Sequence, residues 1–428
     1  MMWFVSGGLA VLLALSVPVG VALFLLGLGL DYFFSPLPLI RGLGQMTWSS
    51  SDSFLLIAIP LFVLLGEILV RAGIAERTYT VLDAWFSWLP GGLVHANIGT
   101  ATMFSATSCS SVATAATVAT VAMPQAEKHG YDQRLFAGAI AAGGTLGILL
   151  PPSINLIIYG FLTQTSVPQL FMAGIMPGLL MALGFMVITA IICKVNPKLG
   201  GPSRSFTWKQ RLEGLPHLIP VFMVFAIIIV SIYRGWATPT EAAAVGVAMA
   251  MAIAAFYKAL TPANMRDALL GTIRTTALVM FVIVGAYFLN YALGAMGLGR
   301  QLTAFLNGLG LGPYGMLLIV ILMYIVLGFF IETLALMIAT IPIVVPIVAG
   351  LGFDKVWFGI LLIVLIEMAL ITPPVGLNLF VVQSVRQRGT LMDVVVGAIP
   401  FVIAMFVMVM LLIAFPQIAL VLPQMTTG

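Results

Sequence analysis

Charge is what this chain has least of. Only 7% of its 428 residues are Asp, Glu, Lys or Arg, 18 basic and 14 acidic, where a soluble domain carries about 25%. So few charges cannot clothe a soluble surface of this size. A soluble enzyme, a nucleic-acid binder and a disordered chain are excluded on that ground. Cysteine is nearly missing too. Cys109 and Cys193 alone cannot build a disulfide framework. His95, His129 and His217 are the only histidines. They form no HExxH and no metal spacing, and no Walker loop is present. Neither enzyme chemistry nor ATP hydrolysis by this chain is expected. What is abundant is hydrocarbon: 61% of residues are apolar and the mean hydropathy is +1.16. That composition belongs to an all-α polytopic membrane protein. The net charge of +4 suits basic cytoplasmic loops. The N-terminus lacks a basic region, and its apolar run continues to about Leu30. That is too long for a signal-peptide core and reads as a first membrane span.

Runs of about 17–25 apolar residues match a hydrocarbon core of about 30 Å. They fall near 3–30, 54–71, 168–192, 217–233, 240–257, 276–293 and 398–417. Two more, 135–163 and 357–385, are interrupted by Pro151-Pro152 and Pro373-Pro374. Two segments, 92–124 and 313–348, have polar or Gly-containing middles at Ser105–Ser111 and Gly328–Thr333.

The two Pro-Pro pairs lie 222 residues apart. The same lag carries Pro124 onto Pro346, Gly130 onto Gly352, Asp132 onto Asp354 and Phe136 onto Phe358. One inserted residue later, Gly174 and Pro177 fall on Gly397 and Pro400. An ordered series of this kind signals an internal duplication. It divides the chain into a first repeat at 1–200, a cytoplasmic loop and linking span at 201–239, and a second repeat at 240–428. Leu93–Phe104 spans only about 18 Å of helix, so 92–124 reads as a re-entrant hairpin, and 313–348 as its mate. Nine spans remain. The repeats are then inverted, because spans 54–71 and 276–293 are second and seventh. Basic residues divide 14 to 4 across the membrane, with Arg41, Arg234, Arg300 and Lys355 on the poorer side. The positive-inside rule therefore puts the N-terminus in the cytoplasm and the C-terminus outside. All seven Trp lie near span ends, as an interfacial belt requires. Val81, Leu82, Trp85, Trp88 and Leu89 recur at helical spacing before the first hairpin, as do Leu298, Leu302, Phe305, Leu306 and Leu309 before the second. Both stretches read as interfacial arms.

Inverted repeats with broken helices are the architecture of secondary transporters. A break inside the membrane is tolerated only where it lines a cavity or is buried in protein. It offers carbonyls suited to Na+ at one half-helix end and N–H groups suited to a carboxylate at the other. Two tips and two Pro-Pro breaks supply such ends here. The tip Ser105–Ser111 holds four Ser and one Thr in seven residues. It would face Gly143–Asn155. The competing reading is that these small residues only pack helices. Glu332 and Glu367 are intramembrane carboxylates and functional candidates by default, with a packing hydrogen bond as the alternative. Asn378 follows the second break. Glu67 and Arg71 read as a structural i,i+4 pair, and Glu241 after Thr238-Pro239-Thr240 as a capping box.

Ser105-Ala-Thr-Ser-Cys-Ser-Ser-Val-Ala-Thr-Ala-Ala-Thr117, the Gly130-Tyr131-Asp132 turn, Leu150-Pro-Pro-Ser-Ile-Asn-Leu-Ile-Ile-Tyr159, Ala173-Gly-Ile-Met-Pro-Gly178 and Ile371-Thr-Pro-Pro-Val-Gly-Leu-Asn-Leu-Phe380 resemble the large membrane subunit of tripartite ATP-independent periplasmic (TRAP) transporters. The likeness covers essentially the whole chain. It implies an elevator-type importer of an organic acid in the bacterial inner membrane, coupled to two or more Na+. It implies two partners: a small four-helix membrane subunit on a separate chain, and a periplasmic substrate-binding protein. By position, a first Na+ site would use Ser105, Ser108, Gly147, Leu150 and Pro152. A second would use Gly328, Thr333, Ala369, Thr372 and Pro374, with Ala369 standing where the lag mirrors Gly147. Substrate would lie among Thr107, Ser110, Ser153, Asn155, Glu332 and Asn378. The resemblance leans towards sialic acid over a C4-dicarboxylate. A binding-protein-independent Na+/dicarboxylate symporter is the competing function.

Overall fold

The computed structural model is helical, with no β-strand among the described residues. Those are all residues except 1, 16, 36–37, 203–204, 298–310, 330, 387 and 428; for 2, 3, 6, 10, 13, 14, 50, 106, 107, 426 and 427 the backbone alone is described. The second expected arm, Leu298 to Leu309, and Gly428 therefore lie outside the described residues.

Six described helices are long and apolar enough to cross a membrane, or eight if each of two bent pairs is one span. The nine expected spans need one correction. The run 3–30 is two helices, Met2–Ala14 and Val19–Phe34. The break precedes Pro18, whose ring disfavours a helical residue before it. The helices fold back on each other, with the Phe4 ring 5.8 Å from Phe33 and 5.4 Å from Phe34. The run 357–385 is interrupted at Pro373-Pro374 as expected, into Lys355–Ala369 and Leu377–Val385, with a longer non-helical stretch than the first break has. One of the six is Thr333–Gly350, an apolar 18-residue helix that forms half of the second expected hairpin. It has the length to cross the membrane unaided. Span 276–293 sits inside a 34-residue helix, Pro262–Ala295.

One group of helices forms a bundle. Helix Val19–Phe34 packs on Pro262–Ala295, Pro239–Phe256 packs on Ala58–Arg71, and Ala58–Arg71 packs on Pro262–Ala295. Ile219–Tyr233 joins it through Pro239–Phe256. The second group holds both hairpins and both breaks. Helix Gln133–Leu149 packs on Leu391–Ala414, and Lys355–Ala369 on Val167–Val195. The limb Ser111–His129 packs on Leu377–Val385, and Thr333–Gly350 on Ile154–Thr163. Exchanging the halves of the chain turns each of these contacts into its partner.

Local chemistry follows the same exchange. Asp132 caps Gln133–Leu149 by accepting from the backbone N–H groups of Arg134 and Leu135, at 3.1 and 2.8 Å. Asp354 caps Lys355–Ala369 through Val356 and Trp357, at 2.7 and 2.9 Å. Gly130 and Gly352, at φ 68° and 90°, turn the chain just before each cap, in the left-handed region that favours glycine. The two long packed pairs differ in closeness. A Cβ on Gly138 would fall 2.0 Å from the Gly397 carbonyl carbon, and one on Gly397 1.8 Å from the Arg134 oxygen. Only a pair of glycines permits this backbone-to-backbone approach. Asp393, on the same helix as Gly397, accepts from Arg134 Nε at 2.9 Å.

Two smaller expectations are met directly. Glu67 and Arg71 form an ion pair. Thr238 and Glu241 form a reciprocal capping box. Of the amphipathic stretch before the first hairpin, Val81, Leu82 and Trp85 lie on the helix Ile74–Phe86, whereas Trp88 and Leu89 fall in the turn after it. Val81 and Leu82 are buried, and Trp85 donates its indole N–H to the Arg211 carbonyl at 3.2 Å.

Candidate functional site

The first hairpin consists of Leu93–Ser108 and Ser111–His129. Its tip is shorter than the Ser-rich run suggests. Helix continues through Ser108, and only Cys109 and Ser110 lie outside it, with Cys109 left-handed at φ 51°. The hydroxyls explain the continuation, because they bond back onto their own helix rather than competing with it. Thr102 Oγ1 donates to the Ile98 carbonyl at 2.7 Å and Ser105 Oγ to that of Thr102 at 2.6 Å.

This tip lies directly on the helix before the first break. A Cβ added at Gly147 would meet Thr114 Oγ1 at 2.8 Å and the Ser110 carbonyl oxygen at 2.9 Å. Ser108 Oγ bonds to Thr114 Oγ1 and also reaches the Ser110 carbonyl at 3.4 Å. The Ser108 and Thr114 hydroxyls and the Ser110 carbonyl thus cluster against Gly147, and oxygen is the hard donor type that suits Na+ and not a soft metal. No group of three or more His, Cys, Asp or Glu occurs among the described residues. Leu150 and Pro152 lie at the break and are buried. Leu150 packs against Gly178. The Ser105 hydroxyl is spent on its own helix. Thr107 has no described side chain.

The second break is built differently. A Cβ on Gly328 would come within 2.4 Å of Ala369 Cβ, so the end of the hairpin limb Pro313–Gly328 touches the end of Lys355–Ala369. Thr372 Oγ1 donates to the Met368 carbonyl at 2.6 Å. Pro373 and Pro374 are exposed, whereas Pro151 and Pro152 are buried. A cavity of about 300 Å³ opens beside this break, lined by Ile325, Phe329, Met368, Ala369, Thr372, Val402, Ile403 and Phe406. Thr333 is buried and donates to Glu332 Oε1 at 2.9 Å.

Several expected substrate contacts serve as helix caps. Ser110 caps Ser111–His129, Ser153 caps Ile154–Thr163 and Glu332 caps Thr333–Gly350. Each binds a backbone N–H at a half-helix start, the groups assigned above to a carboxylate. Glu332 itself is exposed. Asn155 and Asn378 are buried, and each keeps a polar atom without a partner: Nδ2 of Asn155 and Oδ1 of Asn378. Asn378 Nδ2 donates across the halves to the Ala141 carbonyl at 3.2 Å. Sequence reasoning missed Thr114 and the bond from Ser111 Oγ to Glu367 Oε2, 2.5 Å long. It also passed over Asn97, which is buried on the limb Leu93–Ser108 with neither amide atom bonded. Thr114 was legible, four residues after Ser110 on one helix face; the Ser111–Glu367 pairing spans the halves and has no local signal.

Comparison with known proteins bears on what this assembly is. Residues 6–418 match the family described as the tripartite ATP-independent periplasmic transporter, DctM component. The C4-dicarboxylate TRAP transporter large permease protein DctM of Pseudomonas aeruginosa is 34% identical, covering 91% of each chain. The sialic acid TRAP transporter large permease protein SiaM of Vibrio cholerae is 32% identical, covering 90% of each. In fold, the chain is similar to the YdaH transporter of Alcanivorax borkumensis, with a TM-score of 0.60, 15% identity, and coverage of 95% of this chain and 99% of that one. Lengths, motifs and fold agree, and the chain belongs to the DctM family of TRAP transporter large permeases.

Proposed function

We propose that this permease imports an organic acid by an elevator motion driven by an inward Na+ gradient. The observation that carries the reading is the oxygen-lined contact of Ser108, Ser110 and Thr114 with Gly147. At that point a hairpin tip and a broken helix meet without a basic side chain between them. Coordination of Na+ there by backbone and hydroxyl oxygens would place a positive charge beside the N-terminus of Ser111–His129, and a substrate carboxylate would complete the pair. The second site is assigned to Gly328, Thr333, Ala369, Thr372 and Pro374, and the substrate to the space among both tips and both breaks. The bundle of Val19–Phe34, Ala58–Arg71, Pro239–Phe256 and Pro262–Ala295 would be the fixed scaffold. The hairpin-and-break group would be the moving part. The exchange of contacts between the halves supports two inverted repeats in the ranges given above.

Family membership supports function with a small membrane subunit and a periplasmic binding protein, in the inner membrane; the 14-to-4 division of basic residues supports a cytoplasmic Lys194–Arg211 loop. Relatives named for sialic acid and for C4-dicarboxylates are about equally similar to this chain, so the substrate is assigned only as an organic anion. A Na+ titration of the purified chain tests the first step. Its thermal unfolding temperature should rise with NaCl and not with equimolar KCl or choline chloride. Identical behaviour in all three salts would defeat the sodium assignment.

A further inference from the structure

We infer that the Ser111–Glu367 hydrogen bond couples the two cation sites, so that filling one raises the affinity of the other. The inference rests on the sodium reading just given and deepens it. Ser111 Oγ donates to Glu367 Oε2 at 2.5 Å, and both side chains are about 1% exposed. Ser111 is the residue after Ser110, whose carbonyl faces Gly147 at the first site. Glu367 stands two residues before Ala369, which packs on Gly328 at the second. The bond therefore joins the backbone of one tip to the helix end of the opposite break.

Nothing local demands a carboxyl at position 367. No basic side chain is paired with it among the described residues, and its other oxygen, Oε1, has no hydrogen-bond partner. A buried carboxyl within a membrane protein is costly unless its interactions compensate. Ser111 is the one hydrogen-bond partner it has among the described residues, and that partner sits on the other half. A second contact runs beside it. A Cβ on Gly144 would meet the Ser111 carbonyl at 3.0 Å and Asn378 Nδ2 at 3.1 Å. Glu367 before the second break thus holds the first tip, while Asn378 after it bonds to Ala141 on the helix beneath that tip. Drawing the tip carbonyls onto a cation shifts Ser110 and Ser111 together, and Glu367 passes that shift to the helix end at Ala369. Linkage makes such coupling reciprocal. Glu367 and Ser111 are positioning residues in this account, not ligands.

The test is Na+ titration of the purified full chain, followed by thermal unfolding, beside the Na+ dependence of uptake by the reconstituted complex. The wild type should give sigmoidal curves with a Hill coefficient clearly above 1 and no higher than about 2, the number of sites. Ser111→Ala and Glu367→Ala should lower it to about 1 and raise the half-saturating Na+ about tenfold, within the usual range of coupling. Glu367→Gln keeps an acceptor for Ser111 and should keep the sigmoidal curve. A merely structural bond would lower the unfolding temperature of all three without changing curve shape. Should Ser111→Ala fail to fold, Glu367→Gln against Glu367→Ala carries the same comparison. Wild-type sigmoidicity in the alanine variants, or a hyperbolic wild-type curve, overturns the coupling alone. A wild type indifferent to Na+ overturns the sodium reading and the coupling with it.

Discussion

A methyl group at Gly147 would lie 2.8 Å from Thr114 Oγ1 and 2.9 Å from the Ser110 carbonyl. Both are closer than carbon and oxygen approach without a shift. Gly147→Leu should therefore reduce Na+-driven uptake at least tenfold, about 1.4 kcal/mol at the transition state, while the protein still inserts and still binds its small subunit. Uptake at wild-type rate would show the first break to be a packing kink. Glu332 makes a different case. It caps Thr333–Gly350 through the Ala335 N–H at 3.1 Å, and losing a cap costs about 1 kcal/mol. Glu332→Asn should keep that stability because Asn caps well. If the exposed carboxylate also meets substrate, the same variant should raise KM several-fold with the unfolding temperature unchanged. Parallel loss of both would make Glu332 structural only. The sequence marked Glu332 as an intramembrane carboxylate but hid its capping role, since Glu is not among the favoured N-cap residues.

At the scale of the helix, the tightest feature is the crossing of Gln133–Leu149 and Leu391–Ala414. With a Cβ on Gly397 only 1.8 Å from the Arg134 oxygen, the helices must separate to admit one. Gly397→Val should destabilise the protein by more than the 1–3 kcal/mol typical of overpacking. Size-exclusion chromatography in detergent would reveal this as loss of the monodisperse peak. An unaltered profile and unfolding temperature would contradict the crossing. The lag that pairs Gly174 with Gly397 exposed this position in the sequence, whereas its partner Gly138 looked like any other small residue of a membrane helix. Breaks were legible where Pro-Pro forced them and misplaced where serines suggested them. Pro151-Pro152 and Pro373-Pro374 do interrupt helices. Ser105 to Ser108 do not, because a hydroxyl satisfied by a carbonyl of its own helix leaves the helix intact. The break before Pro18 was overlooked inside an apolar run, where hydropathy alone carries no signal of a bend.

Across the whole molecule, the contacts between halves were the least legible part. Hydropathy fixes where helices run but not which pair, and Asn378 to Ala141 or Ser111 to Glu367 bridges more than 200 residues. The charges instead predict an orientation. Single cysteines in the Lys194–Arg211 loop and at the C-terminus, labelled in intact spheroplasts with a membrane-impermeant reagent, should react only at the C-terminus; labelling of the loop would reverse the assigned topology. The central claim concerns energy, not orientation, and one measurement meets it most directly. The permease, its small subunit and its binding protein are reconstituted in proteoliposomes without ATP, and uptake of the labelled organic acid is followed under an imposed inward gradient. The account predicts accumulation with an inward Na+ gradient and little or none when K+ replaces Na+ on both sides. Equal accumulation with K+ would contradict it.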